Sequence, residues 1–142
     1  SDVCSSDLLV VISADTAISM MAVNAKQELV GGVILPGPQL SLSALVKNTA
    51  QLPQIDLAAK APASILGKST SSCLQNGFVL GTASLLDGLA ERFCAELGPQ
   101  TAFYATGNLP IPIREACCTP ILYRETLITD GLYRIWMKNK KG

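Results

Sequence analysis

The sequence contains no histidine. That absence removes Ser-His-Asp and Cys-His catalytic units and every His-containing metal site, leaving proton transfer to a carboxylate, lysine, tyrosine or cysteine. Charge is also scarce: 15 % of the 142 residues are charged, eleven basic against eleven acidic, while 49 % are hydrophobic. A chain this rich in Val, Ile, Leu and Ala is not disordered, and its balanced charge offers no polyanion-binding surface of the kind a nucleic-acid module needs. No apolar stretch reaches the roughly 18–20 residues that span a bilayer, because charged or Pro/Gly-rich segments interrupt each one. One small soluble domain's worth of chain is expected, with neither a nucleic-acid nor a membrane partner.

Residues 1–8, SDVCSSDL, resemble the translation of an adapter ligated to DNA fragments for short-read sequencing, and an apolar run begins directly after them. Setting such a scar aside takes Asp2, Asp7 and Cys4 out of the chemistry and leaves eleven basic against nine acidic groups. With no initiator Met before residue 9, residues 9–142 are expected to be the carboxy-terminal part of a longer protein. The remaining cysteines, Cys73, Cys94, Cys117 and Cys118, form no C-x-x-C pair. Without a secretory signal they read as reduced thiols of a cytoplasmic protein rather than as a zinc site or a disulfide framework.

The apolar pattern opens with three closely spaced strands. Leu8–Ser13 is a β-branched run of the kind buried on both faces, and Ala17–Val23 and Glu28–Leu35 follow around a polar Asn24–Gln27 turn. Gly31-Gly32 inside the third predicts a bulge or a close backbone approach, and Pro36-Gly37-Pro38 ends it. Helical spacing begins at Ser41, a candidate N-cap, with Leu42, Leu45 and Val46 on one face. After a Pro- and Ala-rich connection, a long helix capped by Thr70 or Ser71 is predicted to run to Gly98. Its expected packing face is Cys73, Leu74, Gly77, Phe78, Gly81, Leu85, Leu89 and Phe93, with Gly77 and Gly81 admitting a neighbouring element. A strand over Thr101–Thr106, a short helix over Ile111–Thr119, a strand over Pro120–Tyr123 and a terminal amphipathic helix over Asp130–Lys138 complete an α/β chain.

Chemistry concentrates first at Ser13-Ala14-Asp15-Thr16-Ala17. A tight turn between two strands, carrying hydroxyls and free N–H groups, is one way to hold phosphate oxygens. Asp15 and Thr16 are also ordinary turn residues, so spacing alone leaves a structural role open beside it. Gly67-Lys68-Ser69-Thr70 looks like the end of a Walker A loop, but Pro62 stands where the first glycine is required and no strand feeds the loop, so a P-loop is rejected.

Taken in order, VISADTAIS, LVGGVILPG, LSALVKNTAQLP, ILGKST, CLQNGFVLGTASLLDGL, YATGNL and LITDGLYRIWMKNKK resemble the carboxy-terminal half of the type III pantothenate kinases. That family shows D-x-G-T-A-T-T, G-G-x-I-x-P-G, T-A-x-L-P, G-K-N-T, Q-S-G with G-x-x-x-x-x-D-G, A-T-G-G-L and L-x-x-x-G-L. The resemblance implies a ribonuclease-H-like, actin-like ATPase lobe, incomplete as a two-lobed fold, from a cytoplasmic homodimer. It implies ATP-dependent phosphorylation of pantothenate to 4′-phosphopantothenate, the first step of coenzyme A biosynthesis, with Mg2+ accompanying ATP and K+ or NH4+ as a monovalent cation. By position, Thr16 matches the threonine that contacts ATP, and Thr70 the threonine that contacts pantothenate. Ser13 stands where the family carries its monovalent-cation aspartate, and Asp15 where it carries a loop glycine. The D-x-G-N-T and G-A-D-R motifs, the second supplying the catalytic aspartate, are expected upstream of residue 9, so the 142 residues alone are expected to be inactive. Ser13 and Asp15 also motivate an alternative, a non-catalytic relative retained as a binding or dimerisation module. Another member of the superfamily is disfavoured by T-A-Q-L-P and G-K-S-T.

Overall fold

The computed structural model describes residues 8–26, 28–49 and 52–124. The adapter-like residues 1–7 and the predicted helix over Asp130–Lys138 lie outside them. Five strands and three helices follow in the order β1 (Leu9–Ala14), β2 (Ala17–Val23), β3 (Leu29–Pro36), α1 (Pro38–Asn48), α2 (Thr70–Leu97), β4 (Ala102–Gly107), α3 (Ile111–Ala116) and β5 (Ile121–Tyr123). They form one mixed sheet ordered β3-β2-β1-β4-β5. β1 is central, antiparallel to β2 and parallel to β4, and β5 extends the parallel side.

Alternation along β1 and β2 puts Val10, Ile12, Ala14, Ile18, Met20 and Ala22 on one face, where they meet Val79, Ala83, Leu86 and Ala90 of α2 in a single core. Complete burial of a Val, Leu or Ile side chain contributes about 1.5–3 kcal/mol. Ile12, Ile18, Leu86 and Ile113 are all in that state, so helix and sheet are held together mainly by this layer. β3 pairs with β2 through Ala22↔Gly31 and Val23↔Leu29, which leaves Val30 as an extra residue. The predicted irregularity at the glycine pair is therefore a β-bulge. Gly32 adds a close approach, because a Cβ there would meet the Met20 carbonyl and lie 2.5 Å from the Met21 sulfur.

Three expectations need correction. α1 begins at Pro38, with Gly37 at the N-cap and no side-chain cap, rather than at Ser41. Proline breaks a strand, but its preset φ and missing N–H also suit the first helical position, and here it does both. The cap of α2 is Ser69, not Thr70 or Ser71: Ser69 accepts from the Ser72 N–H at 3.1 Å and Ser72 answers toward the Ser69 backbone. The inward stripe of α2 is Asn76, Val79, Ala83, Leu86 and Ala90, whereas Cys73, Gly77, Gly81 and Leu85 are exposed. Small alanines let the helix axis approach the sheet, and the bulkier Phe78, Leu89 and Phe93 flank the stripe as partly buried neighbours. A Cβ at Gly77 or Gly81 would meet nothing within 4 Å, so the close approach expected there is not made by the described residues.

Candidate functional site

β1 and β4 run parallel and end side by side, Ala14 opposite Gly107. In sheets with parallel strands, ligands bind beyond the carboxyl ends, because the connecting loops there diverge and leave a crevice. Three loops meet at this crevice. The β1–β2 turn carries Asp15 and Thr16 and is closed by the Asp15 N–H donating to the Ala17 carbonyl at 2.9 Å. The start of α1 is pinned to that turn by the Gly37 N–H donating to the Thr16 carbonyl at 2.9 Å. The end of β4 is tied in by the Asn108 N–H donating to the Ala14 carbonyl at 2.7 Å.

Two glycines make this convergence possible. A Cβ on Gly37 would sit 2.7 Å from the carbonyl oxygens of both Asp15 and Thr16. Gly107 has φ +97°, a region L side chains avoid, and its Cβ would run into the Ala14 carbonyl. The resulting cavity, about 490 Å³, is lined by Asp15, Thr16, Gln39, Ser43 and Asn108 among others. α1 opens onto it. Helix geometry leaves the first-turn amides of Gln39 and Leu40 without intrahelical acceptors, and they add to the positive end of the helix dipole. Hydroxyls, an amide side chain and free N–H groups suit phosphate oxygens. The Asp15 carboxylate, exposed at the turn, opposes any anion there.

The residues singled out by motif do not all meet. Thr16 lines the cavity. Ser13 is exposed on the opposite face of β1 from the core, paired with Ser19 and Thr106, so three hydroxyls cross the sheet in one row. No carboxylate joins that row. Among the described residues there is no group of three Cys, Asp or Glu side chains able to hold a metal ion. Thr70, the first residue of α2, is exposed and lines no part of the Thr16 cavity. Its loop is nevertheless fixed: Asn76, 7 % exposed, donates from Nδ2 to the carbonyls of Ser64 at 2.9 Å and Ile65 at 3.2 Å. Asn76 was missed in the sequence, although a polar residue on the inward stripe of a helix signals such a role.

A second group, Asp87 of the D-G motif, faces the turn after α3. Its carboxylate accepts from the Cys118 N–H at 2.8 Å, the Thr119 N–H at 2.9 Å and the Thr119 hydroxyl at 2.7 Å. α3 ends at Ala116, short of the expected Thr119: the Cys117 N–H still closes the helix onto the Ile113 and Arg114 carbonyls, and the two peptide N–H groups after it turn to Asp87 instead. Burial pushes the Asp87 carboxyl upward, but the hydrogen bonds from Cys118 and Thr119 outweigh it and hold it below the usual 3.8. Nearby, burial first and then the charges of Asp87 and Cys118 raise the Cys117 thiol to about 11. Burial, then Cys117, raises Tyr123 to about 12, against the opposing Arg114 guanidinium 4.8 Å above its ring. Both groups are therefore neutral at physiological pH, and the four described cysteines are free.

Comparison with known proteins shows the family. The family model for type III pantothenate kinase matches residues 3–92. The type III pantothenate kinase of Koribacter versatilis is 40 % identical over 134 residues, 92 % of this chain and 48 % of its own length. That of Solibacter usitatus is 35 % identical over 130 residues, again 92 % of this chain and 49 % of its own length. The chain thus spans about half the length of these relatives. Among solved structures, a protein described as a conserved Baf family transcriptional activator from Campylobacter jejuni superposes with a TM-score of 0.61, 20 % identity, and coverage of 96 % of this chain and 60 % of that one. At that identity the likeness is one of fold.

Proposed function

The chain belongs to the type III pantothenate kinase family, and from that premise we propose that it forms one lobe of an enzyme transferring the γ-phosphoryl group of ATP to pantothenate. The observation that carries the reading is the cavity at the ends of β1 and β4, where Thr16, the opening of α1 and Asn108 converge around space for phosphate oxygens. The strand order 3-2-1-4-5 supports a ribonuclease-H-like lobe of the actin-like ATPase kind. On this reading Thr16 contacts ATP and Thr70 serves pantothenate, held at a distance from Thr16 by the loop that Asn76 anchors. Since Thr16 and Thr70 do not share a cavity within this chain, a partner lobe would have to bring the two substrates together. We place the enzyme in the cytoplasm as a homodimer; no helix of the described residues is long and apolar enough to cross a membrane.

The accompanying ions fit unequally. Mg2+ would arrive with ATP and neutralise charge on its phosphates. K+ or NH4+ at position 13 would find only the neutral hydroxyls of Ser13, Ser19 and Thr106, without the family's carboxylate, so that site fits poorly and no step is assigned to it. Proton removal from the pantothenate hydroxyl requires a carboxylate. The G-A-D-R motif that supplies it in the family occurs nowhere in the 142 residues. The chain by itself is therefore expected to show no pantothenate-dependent ATP turnover in a coupled assay, and turnover above background would overturn that division of labour.

A second reading, a non-catalytic relative, is favoured by Ser13 and by Asp15, whose carboxylate lines the cavity. The two are separated by Asp15→Gly. Removing a charge several ångströms from the phosphates lifts about 1–1.5 kcal/mol of repulsion at an effective dielectric near 40, or about tenfold in affinity. Titration with a fluorescent ATP analogue at low salt is expected to show that gain, and a Thr16→Val change to weaken binding. If neither substitution alters nucleotide binding, the cavity is not the phosphate site and the non-catalytic reading prevails.

A further inference from the structure

The Asp15 carboxylate, at the mouth of the candidate phosphate cavity, has no structural task among the described residues. Turn residues of this kind ordinarily accept a hydrogen bond from a peptide N–H two residues on, as the Asp56 carboxylate does from Ala58 at 2.9 Å and the Asn24 side chain from Lys26 at 3.0 Å. The Asp15 carboxylate accepts none among the described residues, and its turn is closed by backbone alone, through its own N–H on the Ala17 carbonyl. The side chain is exposed and lines the cavity. No basic group offsets it there: of the described residues around the cavity, Asp15 is the only one that carries a charge. With a nucleotide bound, this carboxylate and the phosphates would face each other with only the opening of α1 to balance them, and a helix end supplies about half a unit charge. A cation between them removes the conflict.

We propose that Asp15 is a ligand for a divalent cation shared with the nucleotide phosphates, an inference that rests on reading the cavity as the phosphate site. Mg2+ suits such a place, since it keeps several waters and is held by one or two carboxylates together with substrate phosphates rather than by a full protein cage. One carboxylate is what this chain offers there, and no group of three Cys, Asp or Glu side chains among the described residues could hold an ion unaided. Thr16 beside it keeps its hydroxyl for a phosphate oxygen. A monovalent ion has no comparable holder. Ser13, Ser19 and Thr106 form a neutral row partly open to water, and neutral hydroxyls compensate a cation's lost hydration poorly. The negative charge at this end of the sheet therefore stands at position 15 rather than at position 13, and the cation preference follows it, from monovalent to divalent.

The sign of one substitution decides between attraction through a cation and plain repulsion. In EDTA only repulsion acts, and Asp15→Gly is expected to bind a fluorescent ATP analogue about tenfold more tightly than wild type. With excess Mg2+ the order should reverse, wild type binding several-fold more tightly than Asp15→Gly and than Asp15→Asn, which keeps the shape of the side chain. Asp15→Cys should bind weakly with Mg2+ and regain affinity with Cd2+, a soft ion that thiolates prefer. Asp15→Gly should regain none, which controls for the other cysteines. Exchanging K+ for Na+ at constant ionic strength should leave wild-type affinity unchanged. If Asp15→Gly binds in Mg2+ as tightly as wild type or more tightly, the carboxylate only repels, and the proposal is overturned while the phosphate site stands. Wild-type affinity that requires K+ overturns it as well. If neither Thr16→Val nor any Asp15 variant alters binding, with or without Mg2+, the cavity is not the phosphate site and both readings are overturned.

Discussion

Replacing Gly107 with alanine is expected to destabilise the fold by about 3–5 kcal/mol. The backbone there has φ +97°, and a Cβ would collide with the Ala14 carbonyl. Forcing an L residue into such a conformation costs of order 1–3 kcal/mol. The collision adds a second loss, because the Ala14 oxygen is the acceptor of the Asn108 N–H at 2.7 Å, and a displaced buried bond costs about 1–3 kcal/mol. Urea denaturation should report the effect as a lower midpoint at unchanged slope, meaning lost stability rather than a changed unfolded state. Gly77→Ala in α2 is the control, since a Cβ there meets open space and helix propensity favours alanine by about 0.8–1 kcal/mol. Equal effects at the two positions would show that Gly107 holds no strained junction. Because Asn108 lines the candidate phosphate cavity, the Gly107 variant should also lose nucleotide binding at temperatures where it remains folded.

The junction shows where the sequence was readable. Strands β1, β2 and β4 announced themselves as apolar β-branched or aromatic runs bounded by turn residues, and the glycine pair in β3 correctly marked an irregularity. The family motifs placed Thr16 on a turn that the structure puts at a cavity. What failed did so for local physical reasons. Helical spacing puts the α2 stripe through Gly77 and Gly81, whereas it is Ala83 and Ala90 that face the sheet, where small side chains allow close approach. Pro38 was read only as a strand breaker, although a proline at a first helical position starts a helix as readily as it ends a strand. The D-G motif marks Asp87 but names no partner for it, because its partners lie 31 and 32 residues downstream and no periodicity links them. Thr70 was matched by motif alone, and motif order says nothing about whether it and Thr16 share a cavity.

Removing the Asp87 carboxylate is the other large expected effect. Asp87→Ala would leave two peptide N–H groups and one hydroxyl without their acceptor, and with them the tie between α2 and the turn after α3. Bonds to a charged group contribute about 1.5–3 kcal/mol each, but this carboxylate is partly open to water, which screens it and offers replacement partners, so a total of about 2–4 kcal/mol is expected. Asp87→Asn keeps one acceptor and should fall between. The pH dependence separates the charge from the shape. The folded carboxyl lies below its ordinary 3.8, so the unfolded chain takes up the proton first as pH falls. The contribution is therefore complete above the unfolded value and disappears as pH drops through the folded one. Denaturation curves should place wild type well above Asp87→Asn at pH 7, with the gap closing below about pH 4. A gap that persists to pH 2 would mean that the carboxylate acts by its shape and hydrogen-bonding positions rather than by its charge.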